Sequence, residues 1–274
     1  MNIKITSRFS IILLLALFAY FCPVYGQNLS TPLEPQAPPL KSELCLFIGL
    51  GQNVELGSFN TSGCPCEFEG GTGLDFIIGA LYEHEIVPAI RYGIAVGYNP
   101  KSLTSTFRER EMVGFMPKGA SDSEYVPIWF RYRTQSNFSY FPVIPYLKWQ
   151  PSKIMFLKLG LDASFLVSSH LTHTKEVLDN TATLSTGEIV SVSFDDGTNT
   201  HTLADGKFPS PNSMVWSLEP SLGFNIQLSK KIFLSPVLQF SIPLSTVADY
   251  GNGFKFSAWR IIFELRMDNT PKEI

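Results

Sequence analysis

The amino-acid sequence predicts an all-β fold in which eight long antiparallel strands close into an up-and-down barrel. Three observations lead to this prediction: apolar and polar residues alternate in eight separate stretches, short and long connections alternate between them, and the chain opens with an export signal. The alternation is clearest from Ser213 to Lys231, where even positions from Met214 to Leu228 are apolar and most odd positions are small or polar. Successive side chains of a strand point to opposite faces, so this stretch predicts one strand of about fifteen residues with a single apolar face.

Residues 1–26 have the three parts of a secretory signal peptide. Lys4 and Arg8 precede an apolar run over 9–22, and the small residue Gly26 offers a cleavage position. The run of about fourteen residues is shorter than the roughly 20 that a membrane-spanning helix needs. Residues 1–26 are therefore predicted to be removed on export, and the Pro-rich segment 27–43 is predicted to be a disordered periplasmic lead-in.

Eight strands follow, each indicated by its period of two. They are predicted over 44–51, 74–83, 90–99, 141–149, 155–165, 214–228, 232–244 and 259–267. Short turns are predicted at 84–87, 151–152 and 229–230, and long loops near 57–71, 109–133, 175–212 and 247–254. The barrel would then cover 44–267, followed by a C-terminal tail over 268–274. Short turns at one end and long loops at the other are typical of outer-membrane barrels.

The composition of the polar face favours lipid over water around this barrel. A water-facing sheet carries many Lys, Glu and Asp residues, whereas the polar face here is mostly Gly, Ser, Asn and Gln, and only 16% of the chain is charged. In lipid every backbone polar group must be paired internally, so the sheet must close and its outer face must be apolar. The sequence therefore predicts a transmembrane barrel rather than a soluble barrel or sandwich. It would lie in the outer membrane, contact outer-membrane lipids and lipopolysaccharide, and be assembled by the barrel insertion machinery.

Other features of the sequence limit the partners and place the membrane interfaces. No segment after the signal peptide has eighteen consecutive apolar residues, so no transmembrane helix is predicted. The net charge of −3 gives no basis for nucleic-acid binding. Two aromatic girdles are expected at the interfaces, formed by Tyr82, Tyr146 and Trp149 at the short-turn end and by Tyr98, Tyr140, Phe141 and Trp216 at the long-loop end.

Three short motifs resemble those of a known family. They are Leu218–Phe224 (LEPSLGF), Pro145–Leu147 (PYL), and the strand that runs from Arg91 to Tyr98. From Leu44 to Met267 the chain resembles the eight-stranded outer-membrane β-barrel domain of the outer-membrane protein A and porin-like superfamily, in the version found in Bacteroidetes-type bacteria. Such barrels often end in an aromatic residue that the insertion machinery reads. This chain continues to Ile274, so the stretch Trp259–Leu265 is expected to take that role.

The inward positions of the predicted strands carry charges of both signs. These residues are Arg91, Lys148, Lys158, Asp162, Glu219, Arg260, Glu264 and Arg266. They could line a pore, or they could pair with one another and fill the lumen. An eight-stranded barrel has room inside only for side chains, and unpaired charges are costly in a narrow space of low dielectric constant. We therefore predict a structural charge network rather than a pore.

Cys64 and Cys66 lie in the first long loop, within the sequence GCPCEFEGG. Two thiols this close could form a local disulfide or contribute to a metal site. No His or third Cys lies nearby in the sequence to complete a tetrahedral set, so a local disulfide or a loop feature of the family is favoured over a metal site. Cys45 is expected at the opposite end of its strand, too far away to join them. No cofactor and no metal are predicted.

His170 and His173 lie near the long-loop end of the fifth predicted strand, where a lipid A-modifying enzyme could place a catalytic histidine. Alternation predicts that His170 points inward and His173 outward, so the two would not form one site. The loop 175–212 contains Asp195 and Asp196 but lacks the ligand spacing of an EF-hand, and a solvated loop that contacts an extracellular ligand is favoured over a calcium site.

The predicted function is that of a non-enzymatic outer-membrane barrel with a structural or surface-interaction role. Two alternatives remain open. One is a narrow porin-like channel for small solutes, and the other is a lipid A-modifying outer-membrane enzyme.

Overall fold

The computed structural model describes residues 42–61, 64, 66–117, 122–229 and 232–268. They form β1 (Ser42–Asn60), β2 (Glu67–Glu69), β3 (Thr72–Val87), β4 (Ile90–Phe115), β5 (Glu124–Trp149), β6 (Met155–Val177), β7 (Thr181–Thr183), β8 (Ile189–Ser191), β9 (Thr200–Gly206), β10 (Met214–Phe224), β11 (Ile226–Gln227), β12 (Ile232–Pro243) and β13 (Asn252–Asp268). The predicted signal peptide, nearly all of the predicted lead-in and the tail beyond Asp268 lie outside the described residues. Among the residues described, no helix is long and apolar enough to cross a membrane.

Eight of these strands form a closed wall. The order β1–β3–β4–β5–β6–β10–β12–β13 is antiparallel throughout, and pairing of β13 with β1 closes the ring. Three short strands extend this sheet, since β2 pairs with β1, β9 with β6, and β11 with β12, while β7 and β8 form a separate hairpin. The predicted eight-stranded antiparallel barrel is therefore confirmed.

The outer surface of the wall carries a broad apolar belt. We use "apolar belt" for the outward side chains of 44–50, 74–82, 90–98, 141–149, 155–167, 214–224, 232–244 and 259–267. Leu50 and Leu74, for example, are 63% and 73% exposed. About nine residues of a tilted strand rise roughly 20 Å, close to the apolar band of a membrane barrel. The prediction that Tyr140 and Tyr146 belong to the girdles is wrong, because both occupy inward positions of β5 and are buried.

Strands β4, β5 and β6 continue far beyond the belt toward the long loops. β4 and β5 have 26 residues each, so the connection between them is only 116–123 and the predicted loop over 109–133 is wrong. Past the belt the polarity of the wall inverts. Phe107 and Phe130 point inward against loop residues, while Arg108 and Arg133 point outward. The predicted strands are defined by an outward apolar face, and these segments have the opposite pattern, that of a sheet in water.

Two predicted element ends also differ from the structure. The first short turn lies at 88–89, because His84 to Val87 remain paired with β4. The predicted strand over 214–228 is interrupted at Asn225, whose N–H donates to the Ile154 carbonyl at 2.7 Å. The side chain of Asn225 also accepts a hydrogen bond from the Ser235 hydroxyl at 2.9 Å. Asn225 therefore bonds to residues on both sides of it, next to β6 and on β12, and interrupts the regular strand.

A β-bulge in β6 reverses which side chains face the lumen. Ser168 pairs with Ser139, but Leu166 pairs with Tyr140, so Val167 is an extra residue. Even-numbered residues of β6 point inward before the bulge, and odd-numbered residues point inward from Leu171 onward. One inserted residue moves every later side chain to the other face of a strand.

Candidate functional site

The lumen near the short turns holds a dense group of ion pairs, which we call the turn-end cluster. It consists of Glu43, Glu83, Arg91, Lys148, Lys158, Glu264 and Arg266. Glu83 lies at its centre and is completely buried. Its carboxylate accepts two hydrogen bonds from Arg266, at 2.7 and 3.1 Å, and one from Lys148 at 2.9 Å. This forked arrangement is the strongest geometry available to an arginine and a carboxylate.

The remaining members of the turn-end cluster complete the pairing. Lys158 donates to Glu264 at 2.7 Å and lies 3.3 Å from Glu83, and Arg91 pairs with Glu43. Aromatic rings surround the cations, with the Lys148 ammonium 4.3 Å from the centre of the Phe156 ring. Because β3, β5, β6 and β13 all contribute, the cluster joins strands from different sides of the ring.

A second group of charges lies further along the lumen, and we call it the mid-lumen cluster. It consists of Asp75, Lys101, Asp162, Glu219 and Arg260. Arg260 forms ion pairs with two carboxylates: its Nε lies 3.1 Å from Asp75 Oδ1, and its Nη1 lies 3.4 Å from Glu219. The Nε–H bond does not point at the Asp75 oxygen, so this contact is an ion pair without a hydrogen bond. Neutral side chains hold the carboxylates in place. Asn99 donates to Asp75 at 2.7 Å, and Ser164 donates to Asp162 at 2.8 Å.

The structure places all eight of the predicted lumen charges in these two clusters. Arg91, Lys148, Lys158, Glu264 and Arg266 belong to the turn-end cluster, and Asp162, Glu219 and Arg260 belong to the mid-lumen cluster. Together the clusters hold six carboxylates and six cations.

Sequence reasoning missed four members of these clusters, Glu43, Glu83, Asp75 and Lys101. Asp75 and Glu83 occupy inward positions of β3, so strand parity alone could have identified them. Glu43 was missed because β1 begins at Ser42, inside the segment predicted as lead-in. Lys101 was missed because β4 continues past the predicted strand end at 99.

Apolar side chains close the lumen between and beyond the charged clusters. Phe47, Ile77, Ile144 and Phe156 fill the space near the turn-end cluster and leave a cavity of about 40 Å³, room for a few water molecules at most. Toward the long loops lies an aromatic plug, formed by Phe59, Phe68, Phe138, Phe208, Phe254 and Phe256. The Phe138 and Phe256 rings lie 5.2 Å apart although β5 and β13 stand on opposite sides of the ring. The described part of the lumen is thus occluded by side chains.

The loop cysteines and one histidine meet at the rim of the plug. Cys64 and Cys66 are joined by a disulfide bond, and Cys45 is a buried free thiol. His173 is completely buried, with Nδ1 3.0 Å from the Thr61 hydroxyl and Nε2 3.9 Å from Cys64 Sγ. The sequence offered no sign of this contact, because the two residues are 109 positions apart.

The directions predicted for the two histidines are wrong. The bulge at Val167 turns His173 inward and His170 outward, where its side chain is 51% exposed and Nε2 lies 2.8 Å from Asp205. The histidines therefore lie on opposite faces of the wall and do not share a site. His170 pairs with Asp205, whereas His173 contacts Thr61 and Cys64.

The outer loops carry further polar groups with local partners. Thr198 donates its hydroxyl and its N–H to Asp196, at 2.7 and 2.9 Å, and these hydrogen bonds lower the pKa of Asp196. Beyond the belt, Tyr132 donates to Glu111, which also pairs with Lys175 at 2.7 Å. Burial and the hydrogen bond to Glu111 raise the pKa of Tyr132. No group of three or more potential metal-ligating side chains occurs among the described residues.

The wall, the belt and the lumen together define the class of protein. Within the apolar belt, the closed antiparallel wall leaves no unpaired strand edge, its outer face is apolar, and its charges lie inside. Among β structures, only a closed sheet satisfies its backbone polar groups within lipid. The chain is a membrane-spanning β-barrel.

Comparisons with known proteins find remote similarities and no family. No protein-family model and no curated protein matches the chain. It is similar to solved structures of the attachment invasion locus protein Ail of Yersinia pestis (12% identity, 83% of this chain and 99% of that chain, TM-score 0.31) and of Neisserial surface protein A (10% identity, 82% and 96%, TM-score 0.34). A third is the outer-membrane protein AlkL in lipid bilayers (10% identity, 90% and 99%, TM-score 0.36). Similarity at this level is no evidence for the fold, which rests on the strand pairing described above.

Proposed function

We propose that this protein is an integral outer-membrane barrel that does not conduct solutes and acts through its outer surface or as a structural element. The closed lumen is the observation that carries the proposal. Ion pairs, apolar side chains and the aromatic plug fill it in succession, and opposite walls touch at Phe138 and Phe256. The proposal includes export by the predicted signal peptide and assembly by the barrel insertion machinery.

The energetics of the lumen support a structural role for its charges. Buried ions stay charged only where partners and hydrogen bonds offset their desolvation, and the two clusters supply six carboxylates for six cations. A conducting path would need these pairs to separate and water to replace them. An eight-stranded barrel has little space for that.

Single-channel conductance of the purified protein in a planar bilayer tests the proposal. We expect the protein to insert without discrete current steps. Insertion is monitored separately, by the change in electrophoretic mobility on heating. Reproducible steps whose size changes in Lys158→Ala or Arg260→Ala would favour the channel instead. A protein that fails to insert under several refolding conditions would contradict the membrane assignment itself.

The enzymatic alternative has its own test. Lipid A from cells with and without the protein is compared by mass spectrometry. We expect identical spectra. A mass shift that disappears in His170→Ala would overturn the non-enzymatic proposal.

A further inference from the structure

Four arginines stand together on the outward face of the wall, between the apolar belt and the loop tips. We call them the arginine face: Arg108 and Arg110 on β4, and Arg131 and Arg133 on β5. Arg108 lies directly across from Arg131 in the strand pairing, and Arg133 lies across from Thr106. The chain has eight arginines in total, and the other three that the structure describes are all in the lumen clusters.

The positive charge of this face is mostly uncompensated. Glu176 pairs with Arg131, accepting from Nε at 2.8 Å and from Nη2 at 2.6 Å. Among the described residues, no carboxylate lies within 4 Å of Arg108, Arg110 or Arg133. Glu176 offsets the repulsion between Arg131 and Arg108, which lie directly opposite one another, so Arg108, Arg110 and Arg133 are the cations that a bound anion would meet.

The chemistry of the face fits phosphate groups. The planar guanidinium group offers parallel N–H donors that match phosphate oxygens, and it stays charged at any physiological pH. Arg133 is eight residues beyond Phe141 at the top of the belt, which places it roughly 20 Å past the hydrocarbon along a tilted strand. At that height a membrane barrel is surrounded by the saccharides of the outer leaflet.

The direction in which the arginine face points favours a binding partner within the membrane over a ligand that arrives from the medium. The arginines point sideways from the wall, toward molecules standing in the same leaflet. The loop tips above them carry exposed acids, including Asp122, Asp195 and Asp196, which repel an anion that approaches from outside. We propose that the arginine face binds the phosphorylated saccharide of lipopolysaccharide molecules beside the barrel. This inference rests on the proposed outer-membrane location.

Calorimetric titration of the full protein in phosphatidylcholine nanodiscs tests the inference. The probes are deacylated lipopolysaccharide oligosaccharide that retains its phosphates, the same oligosaccharide after dephosphorylation, and heparin. We expect the phosphorylated oligosaccharide to bind, and Arg108→Gln/Arg133→Gln to weaken it at least about tenfold, since two charge-assisted phosphate contacts are lost. Binding should also weaken with salt, because the face is exposed.

The control variant is Lys153→Gln/Lys255→Gln, which removes the same charge from the turn before β6 and from an outward position of β13, on the opposite side of the ring from β5. It should bind within about twofold of the wild type, because neither lysine is near the face. Equal binding of the dephosphorylated oligosaccharide, or unchanged binding by the arginine variant, would overturn the inference. Tighter, arginine-dependent binding of heparin would also overturn it, in favour of a ligand from the medium. Insertion into the nanodisc is checked first, so failure of the membrane assignment is seen separately.

Discussion

At the scale of single residues, Glu83 is the carboxylate at the centre of the turn-end cluster. It contacts Arg266, Lys148 and Lys158 and accepts a hydrogen bond from Tyr146 at 2.9 Å. We predict that Glu83→Ala lowers the free energy of unfolding by about 3–5 kcal/mol, because buried cations lose their shared partner. Urea unfolding of the barrel in lipid vesicles measures the effect. Glu69→Ala, at an exposed position of β2, should stay within about 0.5 kcal/mol of the wild type. Equal effects of the two changes would show that the turn-end cluster does not stabilise the fold.

Gly51 is a second residue on which the wall depends. A Cβ atom at this position would lie 1.9 Å from the Trp259 carbonyl oxygen, so only glycine allows β1 and β13 to approach this closely. We predict that Gly51→Ala destabilises the barrel by about 1–3 kcal/mol, since backbone rather than a flexible side chain must move. The measurement is again urea unfolding in vesicles. Gly206→Ala is the matched control, because a Cβ there would meet nothing within 4 Å. An unchanged stability of Gly51→Ala would mean that the β1–β13 contact is looser than described.

At the scale of elements, the bulge in β6 decides what the outer half of the strand presents to each side. We predict that His170→Cys reacts with a membrane-impermeant maleimide at least about tenfold faster than His173→Cys, because the bulge exposes the first position and buries the second. Each single variant serves as the control for the other, and the buried Cys45 supplies the background rate. The reverse order of rates would mean that β6 continues without a bulge.

At the scale of the whole molecule, the apolar belt fixes the position of the membrane along the wall. The four tryptophans sample it, since Trp149 and Trp259 lie at its two edges, Trp216 lies within it, and Trp129 lies beyond it. In single-tryptophan variants, brominated lipids should quench the fluorescence of Trp149, Trp216 and Trp259 but not that of Trp129. Aqueous iodide should show the opposite selectivity. Quenching of Trp129 by brominated lipid would place the bilayer nearer the loops and would submerge the arginine face.

The local pattern of this sequence determined the number of strands, the antiparallel barrel, the apolar outer face and the inward side of most lumen charges. Those properties follow from the alternation of apolar and polar residues, which is visible within each stretch of sequence by itself. The tertiary structure alone decided which charges pair, since Glu83 meets Arg266 across 183 positions. It also decided the reversal of β6, because a bulge depends on the register of two strands and leaves little trace in composition. The extension of β4 and β5 likewise became visible only in the fold, where loop residues cover their inner apolar face.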